Sequence, residues 1–285
     1  TGADPIEGVL QRAWVACYEP EHVDAARGIA VLLPGMFGTP RWIIEDWTAR
    51  LVGRGWVVVR LVTQPSRFTE FVDFDLGARR AVRVIAEEVA SVIDRRLWAC
   101  GSAVEAACRV VLSDHPELRG RPRIAMGLSG GAIMLPVVVA FEPDRYEAMV
   151  TVAGGADFMS VAATSNYAPF ISAARFREGA RPATRARIEA IASAYREVSR
   201  IDPYVVAPGL DTRRVLMVHA ERDRAVPAAF GDVLWERLGR PERWSFPVGH
   251  EMIALMLPNL LDRMIDWAES ASVGREPESG REPGR

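Results

Sequence analysis

Lysine is absent from the 285 residues, so all 35 basic side chains are arginine. This absence excludes a lysine Schiff base and a lysine general base. Cysteine is scarce as well: Cys17, Cys100 and Cys108 are odd in number and form no CxxC pair, which argues against a disulfide framework and against a Cys/His metal site. The sequence therefore predicts a protein that needs neither a metal ion nor an organic cofactor.

Strong charge and long apolar runs are also missing. The formal net charge is -2 and the pI is about 6.1, so no strong field would attract nucleic acid or an anionic membrane. No apolar stretch reaches the length of a transmembrane helix, and the first residues show no signal-peptide pattern. We expect a small-molecule substrate, no nucleic-acid partner and no transmembrane segment. The compartment is left open, with the cytoplasm slightly favoured, and so is the oligomeric state.

Short apolar runs rich in Val and Ile alternate with longer helical patterns. Continuous apolar runs are typical of strands buried on both faces, and helical connections between them indicate a mostly parallel sheet with helices on both faces. An antiparallel edge strand is predicted within residues 8–18, because Val, Trp and Tyr favour pleated surfaces. The predicted parallel strands lie at 28–33, 55–62, 123–127, 146–153 and 214–220, with a weaker one at 243–246.

The longest helical pattern, at 77–114, is predicted to break near Gly101-Ser102, where Ser102 could cap a second helix. Residues 156–211 interrupt the rhythm of strands and helices. They are interpreted as a helical insertion, or cap, in a single domain that spans residues 1–272; an ordinary long crossover is the alternative. Residues 273–285 contain Gly, Pro, Glu and Arg with almost nothing apolar, and they are predicted to be disordered.

One candidate nucleophile lies in the sequence Gly127-Leu128-Ser129-Gly130-Gly131. G-x-S-x-G alone is a weak signal because glycine and serine are common. Here it directly follows a predicted strand and precedes a predicted helix. A sharp strand-to-helix turn needs small residues two before and two after the serine, and it exposes the hydroxyl above the sheet. The context favours a nucleophile over an idle serine in a glycine-rich turn.

A serine hydroxyl needs a base, and the chain offers four histidines. His219 lies inside a strand pattern, where a buried core histidine is expected. His22 falls in a surface loop, and His115 precedes a proline at a helix end. His250 lies in a loop that leaves a strand, where a base can reach a nucleophile on another loop. Elimination and position both indicate His250.

A third group must orient the base and stabilise the imidazolium that forms. Asp223 follows the strand that ends near residue 220, in a loop closed by Pro227. Glu221 is a rival carboxylate, although it lies closer to the strand. Asp223 could also pair with a neighbouring arginine as a surface charge. Its place between Ser129 and His250 in the chain favours the catalytic role.

The order Ser129, Asp223, His250 is the chain order of the α/β-hydrolase triad, and residues 25–270 resemble that superfamily in pattern. The stretch from Asp223 to Pro227 is similar to the superfamily's D-x-x-V-P, and Gly249-His250 to its G-H. The resemblance implies the α/β-hydrolase fold with an insertion between the nucleophile and acid strands. Dienelactone-hydrolase-like and acetyl-esterase-like enzymes are the most similar groups, and no motif chooses between them.

The resemblance also implies an oxyanion hole built from two backbone N–H groups. One belongs to Gly130, after the nucleophile. The other belongs to the loop that follows an early strand, where Met36 is the first choice and Phe37 the second. Many members have His-Gly where this chain has Pro34-Gly35, a departure that bears on the choice of Met36 as donor. A plain strand-ending turn is the alternative interpretation of Pro34-Gly35.

These residues together predict a serine hydrolase that cleaves a carboxylic ester through an acyl-enzyme. The same triad would serve a thioesterase, an acyltransferase, an amidase or peptidase, or a lipase. A non-catalytic binding protein of the same fold and a partner-docking role for residues 156–211 are further alternatives. Several large side chains could line a substrate pocket, although each alone is better explained by packing: Trp42, Phe68, Phe71, Phe74, Phe158, Met159, Tyr167 and Phe170.

Overall fold

A computed structural model describes residues 13–35, 39–62, 72–77, 80–167 and 174–273. Its ten strands within those ranges are β1 (Trp14–Tyr18), β2 (Gly28–Leu33), β3 (Trp56–Val62), β4 (Val72–Asp75), β5 (Arg123–Leu128), β6 (Tyr146–Val152), β7 (Ala174–Glu178), β8 (Arg181–Pro182), β9 (Val215–Ala220) and β10 (Glu242–Phe246). The α-helices are α1 (Arg41–Gly53), α2 (Val82–Asp114), α3 (Gly130–Phe141), α4 (Phe158–Thr164), α5 (Arg185–Val198), α6 (Pro203–Val206), α7 (Ala228–Arg237) and α8 (His250–Val273).

Seven strands form the main sheet, in the order β1-β3-β2-β5-β6-β9-β10. All neighbours pair in parallel except β1, which runs antiparallel to β3 at the edge. The prediction of a mostly parallel sheet is therefore confirmed, and so is the antiparallel edge strand in its described part. Parallel strands leave their carboxyl ends at one edge of the sheet, which is where loops carry functional groups.

Helices cover both faces of this sheet, as the continuous apolar runs predicted. In β2, alternate side chains enter different cores: Val31 packs on the side of α2 and α3, and Leu32 packs on the side of α1 and α8. Every residue of β2, β5 and β9 is buried. Such strands tolerate few polar groups, which explains why they read as unbroken hydrophobic segments. No helix of the described ranges combines the length and apolar character needed to cross a bilayer.

The predicted break at Gly101-Ser102 is wrong, because α2 runs without interruption over 33 residues. Gly101 serves close packing instead: a Cβ at this position would lie 2.5 Å from the Phe141 ring of α3. Cys100 and Cys108 are buried on this helix, and burial raises the pKa of each thiol to about 12. Both thiols therefore stay protonated and act as small core side chains.

Residues 156–211 contain α4, β7, β8, α5 and α6 as far as they are described. Strand β7 pairs in parallel with β4 and antiparallel with β8, which gives a second, three-stranded sheet. Helix α5 packs on α2, and α6 packs on α3. The segment is thus tied to the helices of one face. That it acts as a cap of a single domain stays a prediction, and the predicted disordered tail lies outside the described residues after Val273.

Asp202 links separate parts of this segment to one another from a fully buried position. Its Oδ1 accepts the backbone N–H groups of Asp157 and Tyr204, and its Oδ2 accepts the Phe158 N–H and the Tyr195 hydroxyl, at 2.7 to 3.0 Å. Burial raises the pKa of Asp202 to about 6, against the lowering effect of these donors. Two donors converge on each oxygen, so only the carboxylate satisfies all four.

Replacement of Asp202 by asparagine is expected to lower the free energy of unfolding by about 2 kcal/mol at pH 8, because either amide orientation points an NH2 group at two donors. A thermal melt measures this as a lower Tm. Asp144→Asn, at an exposed turn, is the matched control and should leave Tm unchanged. Equal Tm values for the two variants would show that the buried carboxylate contributes no stability.

Candidate active site

Ser129 occupies the turn between β5 and α3, with φ 55° and ψ -122°. This conformation is rare for a residue with a side chain, and its N–H donates to Val152 O at 2.8 Å on the neighbouring strand. The turn depends on the flanking glycines. A Cβ at Gly131 would lie 2.1 Å from Leu33 O, and one at Gly127 would lie 2.9 Å from Gly131 O. The turn therefore presents a half-buried hydroxyl at the carboxyl end of the sheet.

Gly131→Ala should force the turn away from the backbone of Leu33 and Pro34, whose oxygens would lie 2.1 and 2.5 Å from the new Cβ. Overpacking of this kind costs about 1–3 kcal/mol. We expect a lower Tm together with reduced turnover, measured on one preparation. Gly53→Ala is the control, because a Cβ at Gly53, at the end of α1, would meet no atom within 4 Å. A Gly131→Ala protein as stable and active as the parent would contradict the steric argument.

His250 is the first residue of α8 and is buried beside Ser129. Its Nε2 lies 2.9 Å from Ser129 Oγ, and its Nδ1 lies 2.6 Å from Asp223 Oδ2. An ionised carboxylate can only accept hydrogen bonds, so Nδ1 carries the proton and donates it to Asp223. Nε2 then has a free lone pair that faces the serine hydroxyl. The arrangement can therefore remove a proton from Oγ.

Asp223 follows β9 and is buried at 6% exposure. Its Oδ1 accepts the N–H groups of Ala225 at 2.8 Å and Val226 at 2.9 Å, while Oδ2 accepts from His250. Both backbone donors lie in the short turn after Asp223, so this turn holds the Asp223 side chain in one orientation. Glu221, the rival carboxylate of the sequence analysis, is exposed. The structure brings Ser129, His250 and Asp223 together and leaves Glu221 outside.

The other three histidines have different surroundings. His219 is buried within β9 against Gly231, and burial is the largest cause of its lowered pKa. His115 lies 3.0 Å from Glu19, and that hydrogen bond raises the pKa of the imidazole. His22 is exposed before a short 3-10 turn. His250 is the histidine that is hydrogen-bonded to Ser129, and its assignment as the base stays a prediction.

Of the backbone donors predicted for the oxyanion hole, Gly130 lies among the described residues. Gly130 opens α3 and is buried, so its N–H belongs to a helix N-terminus that favours negative charge. A Cβ at Gly35 would lie 3.4 Å from the Cβ of Ser129, so the backbone of the loop after β2 adjoins the nucleophile. Met36 and Phe37 lie outside the described residues. The assignment of Met36 therefore stays a prediction. Among the described residues, no group of three or more His, Cys, Asp or Glu side chains could hold a metal ion.

Two further side chains lie beside His250. Tyr167 belongs to the large side chains that the sequence offered for a substrate pocket, and Glu251 was not predicted to be part of the site. Tyr167 meets the His250 ring edge-on, with centroids 5.9 Å apart, and its hydroxyl donates to Glu251 at 2.6 Å. The only signal for Glu251 was its position directly after His250. Among the remaining large side chains of that set, Phe74 stacks on Phe176 of β7. Trp42 is exposed, Phe158 is half-buried and Met159 is buried, while three lie outside the described residues: Phe68, Phe71 and Phe170.

The strand order and the turn that carries Ser129 together define the fold. A mainly parallel seven-stranded sheet with helices on both faces, and a serine at the turn after β5, are the marks of the α/β-hydrolase fold. The chain has the α/β-hydrolase fold.

Residues 106–243, just under half of the chain, match the sequence model of the prolyl oligopeptidase family; the match includes Ser129 and Asp223 and ends before His250. Over 72 residues the chain is 31% identical to the uncharacterized protein YdjC of Bacillus subtilis (strain 168). These 72 residues are 25% of this chain and 62% of that protein. The aligned segment is thus less than two thirds of that relative.

Among solved structures, the chain is similar to an acylaminoacyl peptidase of Pyrococcus horikoshii, with a TM-score of 0.61 and 12% identity over 96% of this chain. The chain spans 42% of the length of that peptidase. An esterase of Pyrococcus furiosus gives a TM-score of 0.53 at 13% identity, over 91% of this chain and 92% of that chain. At these identities the likeness is one of fold.

Proposed function

We propose that this protein hydrolyses a carboxylic ester through a covalent acyl-enzyme formed on Ser129. The proposal is carried by the hydrogen-bonded path from Ser129 Oγ to His250 at 2.9 Å and from His250 to Asp223 at 2.6 Å. A serine hydroxyl is a weak nucleophile until an adjacent base takes its proton. Here the proposed base contacts the hydroxyl, and a buried carboxylate orients the base.

In the acylation half-reaction, Ser129 Oγ attacks the ester carbonyl carbon while His250 Nε2 takes the hydroxyl proton. The tetrahedral oxyanion would accept hydrogen bonds from the N–H groups of Gly130 and Met36, each worth about 2.7–4 kcal/mol in the transition state. Asp223 stabilises the imidazolium without taking its proton. The bond to the leaving alcohol then breaks as the imidazolium protonates the alcohol oxygen, and the acyl group stays on Ser129.

In the deacylation half-reaction, His250 Nε2 takes a proton from a water molecule, which attacks the acyl carbon. The second tetrahedral intermediate uses the same oxyanion donors. It collapses when His250 returns the proton to Ser129 Oγ, which releases the carboxylic acid. Every proton in the cycle passes through Nε2 of His250, so one imidazole serves as base and as acid in each half.

Hydrolysis of an amide or peptide bond is the second candidate. It is favoured by the match of residues 106–243 to the prolyl oligopeptidase family and by the fold shared with an acylaminoacyl peptidase. The same triad would serve both reactions, because an amine leaving group differs from an alcohol chiefly in its need for protonation by His250 before it departs. Thioester cleavage and acyl transfer to an alcohol would use the same residues.

A fluorophosphonate probe and a substrate panel test these proposals. The probe should label the folded protein at Ser129, located by peptide mass analysis, and heat-denatured protein should not react. The panel combines aryl esters of rising acyl length with matched thioesters and anilides. We expect the highest kcat/KM for an ester; a higher value for an anilide would transfer the proposal to amide hydrolysis. Absence of labelling in the folded protein would reject the serine hydrolase mechanism.

A further inference from the structure

One short stretch of chain, Val161 to Tyr167 (the brace), contacts elements that carry all three triad residues. Val161 of α4 packs in a small apolar cluster with Ile133, in the first turn after Ser129, and with Val226, in the loop of Asp223. Five residues later, the Asn166 N–H donates to Arg224 O at 2.9 Å in that same loop. The brace therefore ties the acid loop to the nucleophile helix.

Tyr167, at the end of the brace, reaches the base. Its ring lies edge-on to His250 at an interplanar angle of 83°, and its hydroxyl donates to Glu251 Oε1. Burial and the Glu251 carboxylate raise the pKa of Tyr167 to about 12. The hydrogen bond from Tyr167 is the largest cause of the lowered pKa of Glu251. The phenol thus remains a donor and the carboxylate remains an acceptor across the pH range of an ester assay.

The imidazole needs such a contact once Ser129 is acylated. In the resting enzyme each ring nitrogen of His250 has one hydrogen-bond partner, Asp223 on one side and Ser129 on the other. Acylation removes the serine proton, so Nε2 must turn from Oγ to the leaving group and then to water while only Asp223 holds the ring. A misplacement of about 1 Å can cost about 100-fold in rate. A side chain that limits rotation of the imidazole therefore protects kcat.

We propose that Tyr167, held in place by Glu251, is a positioning residue that keeps His250 in its reactive orientation through both half-reactions. The inference rests on the proposed function. It gives residues 156–211 a defined task, because the insertion supplies the side chain that covers the base. Tyr167 acts through His250, and Glu251 acts through Tyr167.

A double-mutant cycle on kcat tests the pair. Tyr167→Phe and Glu251→Gln each remove or weaken the same hydrogen bond, so we expect about a tenfold fall in kcat for each, and about the same fall for the double variant. KM should change less than twofold. Tyr167→Ala also removes the ring and should lower kcat by about 100-fold. The rate of fluorophosphonate labelling should fall in the same order, since it also requires His250.

Tyr204→Phe is the matched control, because Tyr204 lies in the same insertion with its ring 4.4 Å from the Arg237 guanidinium. It should keep the parent kcat and Tm. Unchanged kcat in Tyr167→Phe, strictly multiplicative losses in the double variant, or an equal loss in Tyr204→Phe would each overturn the positioning role and leave the proposed hydrolysis intact. A parent protein that neither turns over the panel nor reacts with the probe would instead reject the proposed function, and the inference with it.

Discussion

Replacement of Ser129 by alanine is expected to lower kcat for the best ester of the panel by about 10⁶-fold, the scale seen when the triad serine is removed from a serine hydrolase. Without Oγ no acyl-enzyme can form, and the remaining backbone donors stabilise only a direct attack by water. The fold should survive, because the strand contact of Ser129 uses its backbone N–H to Val152 O and not its side chain. The measurement is steady-state kinetics with purified variant and parent, accompanied by thermal melts.

Ser129→Gly separates chemistry from stability. A residue with a Cβ at φ 55° and ψ -122° stores backbone strain of order 1–3 kcal/mol, which glycine relieves. The glycine variant should therefore be as inactive as the alanine variant and have a higher Tm. Ser270→Ala, near the end of α8, is the control for the loss of an exposed hydroxyl. Retained turnover in either Ser129 variant would show that another group is the nucleophile.

The fold and the proximity of Ser129, Asp223 and His250 could be predicted from the sequence because they depend on local patterns. Strands buried on both faces produce unbroken apolar runs, and the tight turn around Ser129 needs small residues at Gly127 and Gly131. Asp223 and His250 each follow a strand, and the carboxyl ends of parallel strands meet at one edge. The resemblance to the α/β-hydrolase superfamily indicated the order of the three residues along the chain. For these residues, chain position and spatial position are tightly coupled.

Other features depend on contacts that no local pattern reveals. Gly101 resembles a helix breaker in sequence. In the structure the ring of Phe141 on another helix approaches so closely that this position has no room for a side chain. Strands β4 and β7 are short and lie far apart in the chain, so their pairing has no periodic signature. The contact of Tyr167 with Glu251 joins residues 84 positions apart and depends on how residues 156–211 pack against the rest of the chain. Such details follow from tertiary packing.

Asp223→Asn carries the second large effect, a fall in kcat of about 10⁴-fold. The two backbone donors of Ala225 and Val226 select the amide oxygen for the Oδ1 position, so the amide NH2 takes the place of Oδ2. It then faces Nδ1 of His250, which must become an acceptor. The imidazole is forced into the tautomer with its proton on Nε2, and that nitrogen can no longer take the proton of Ser129.

The loss is smaller than for Ser129→Ala because the nucleophile and the oxyanion donors remain and only the tautomer is wrong. Glu221→Gln is the matched control, since it removes a carboxylate two residues away that is exposed and lies outside the hydrogen-bonded path. Its kcat should stay within about twofold of the parent, as exposed charges contribute little. A larger loss in Glu221→Gln than in Asp223→Asn would transfer the role of the acid to Glu221. With the expected order, the buried 2.6 Å bond to Asp223 is what orients the base.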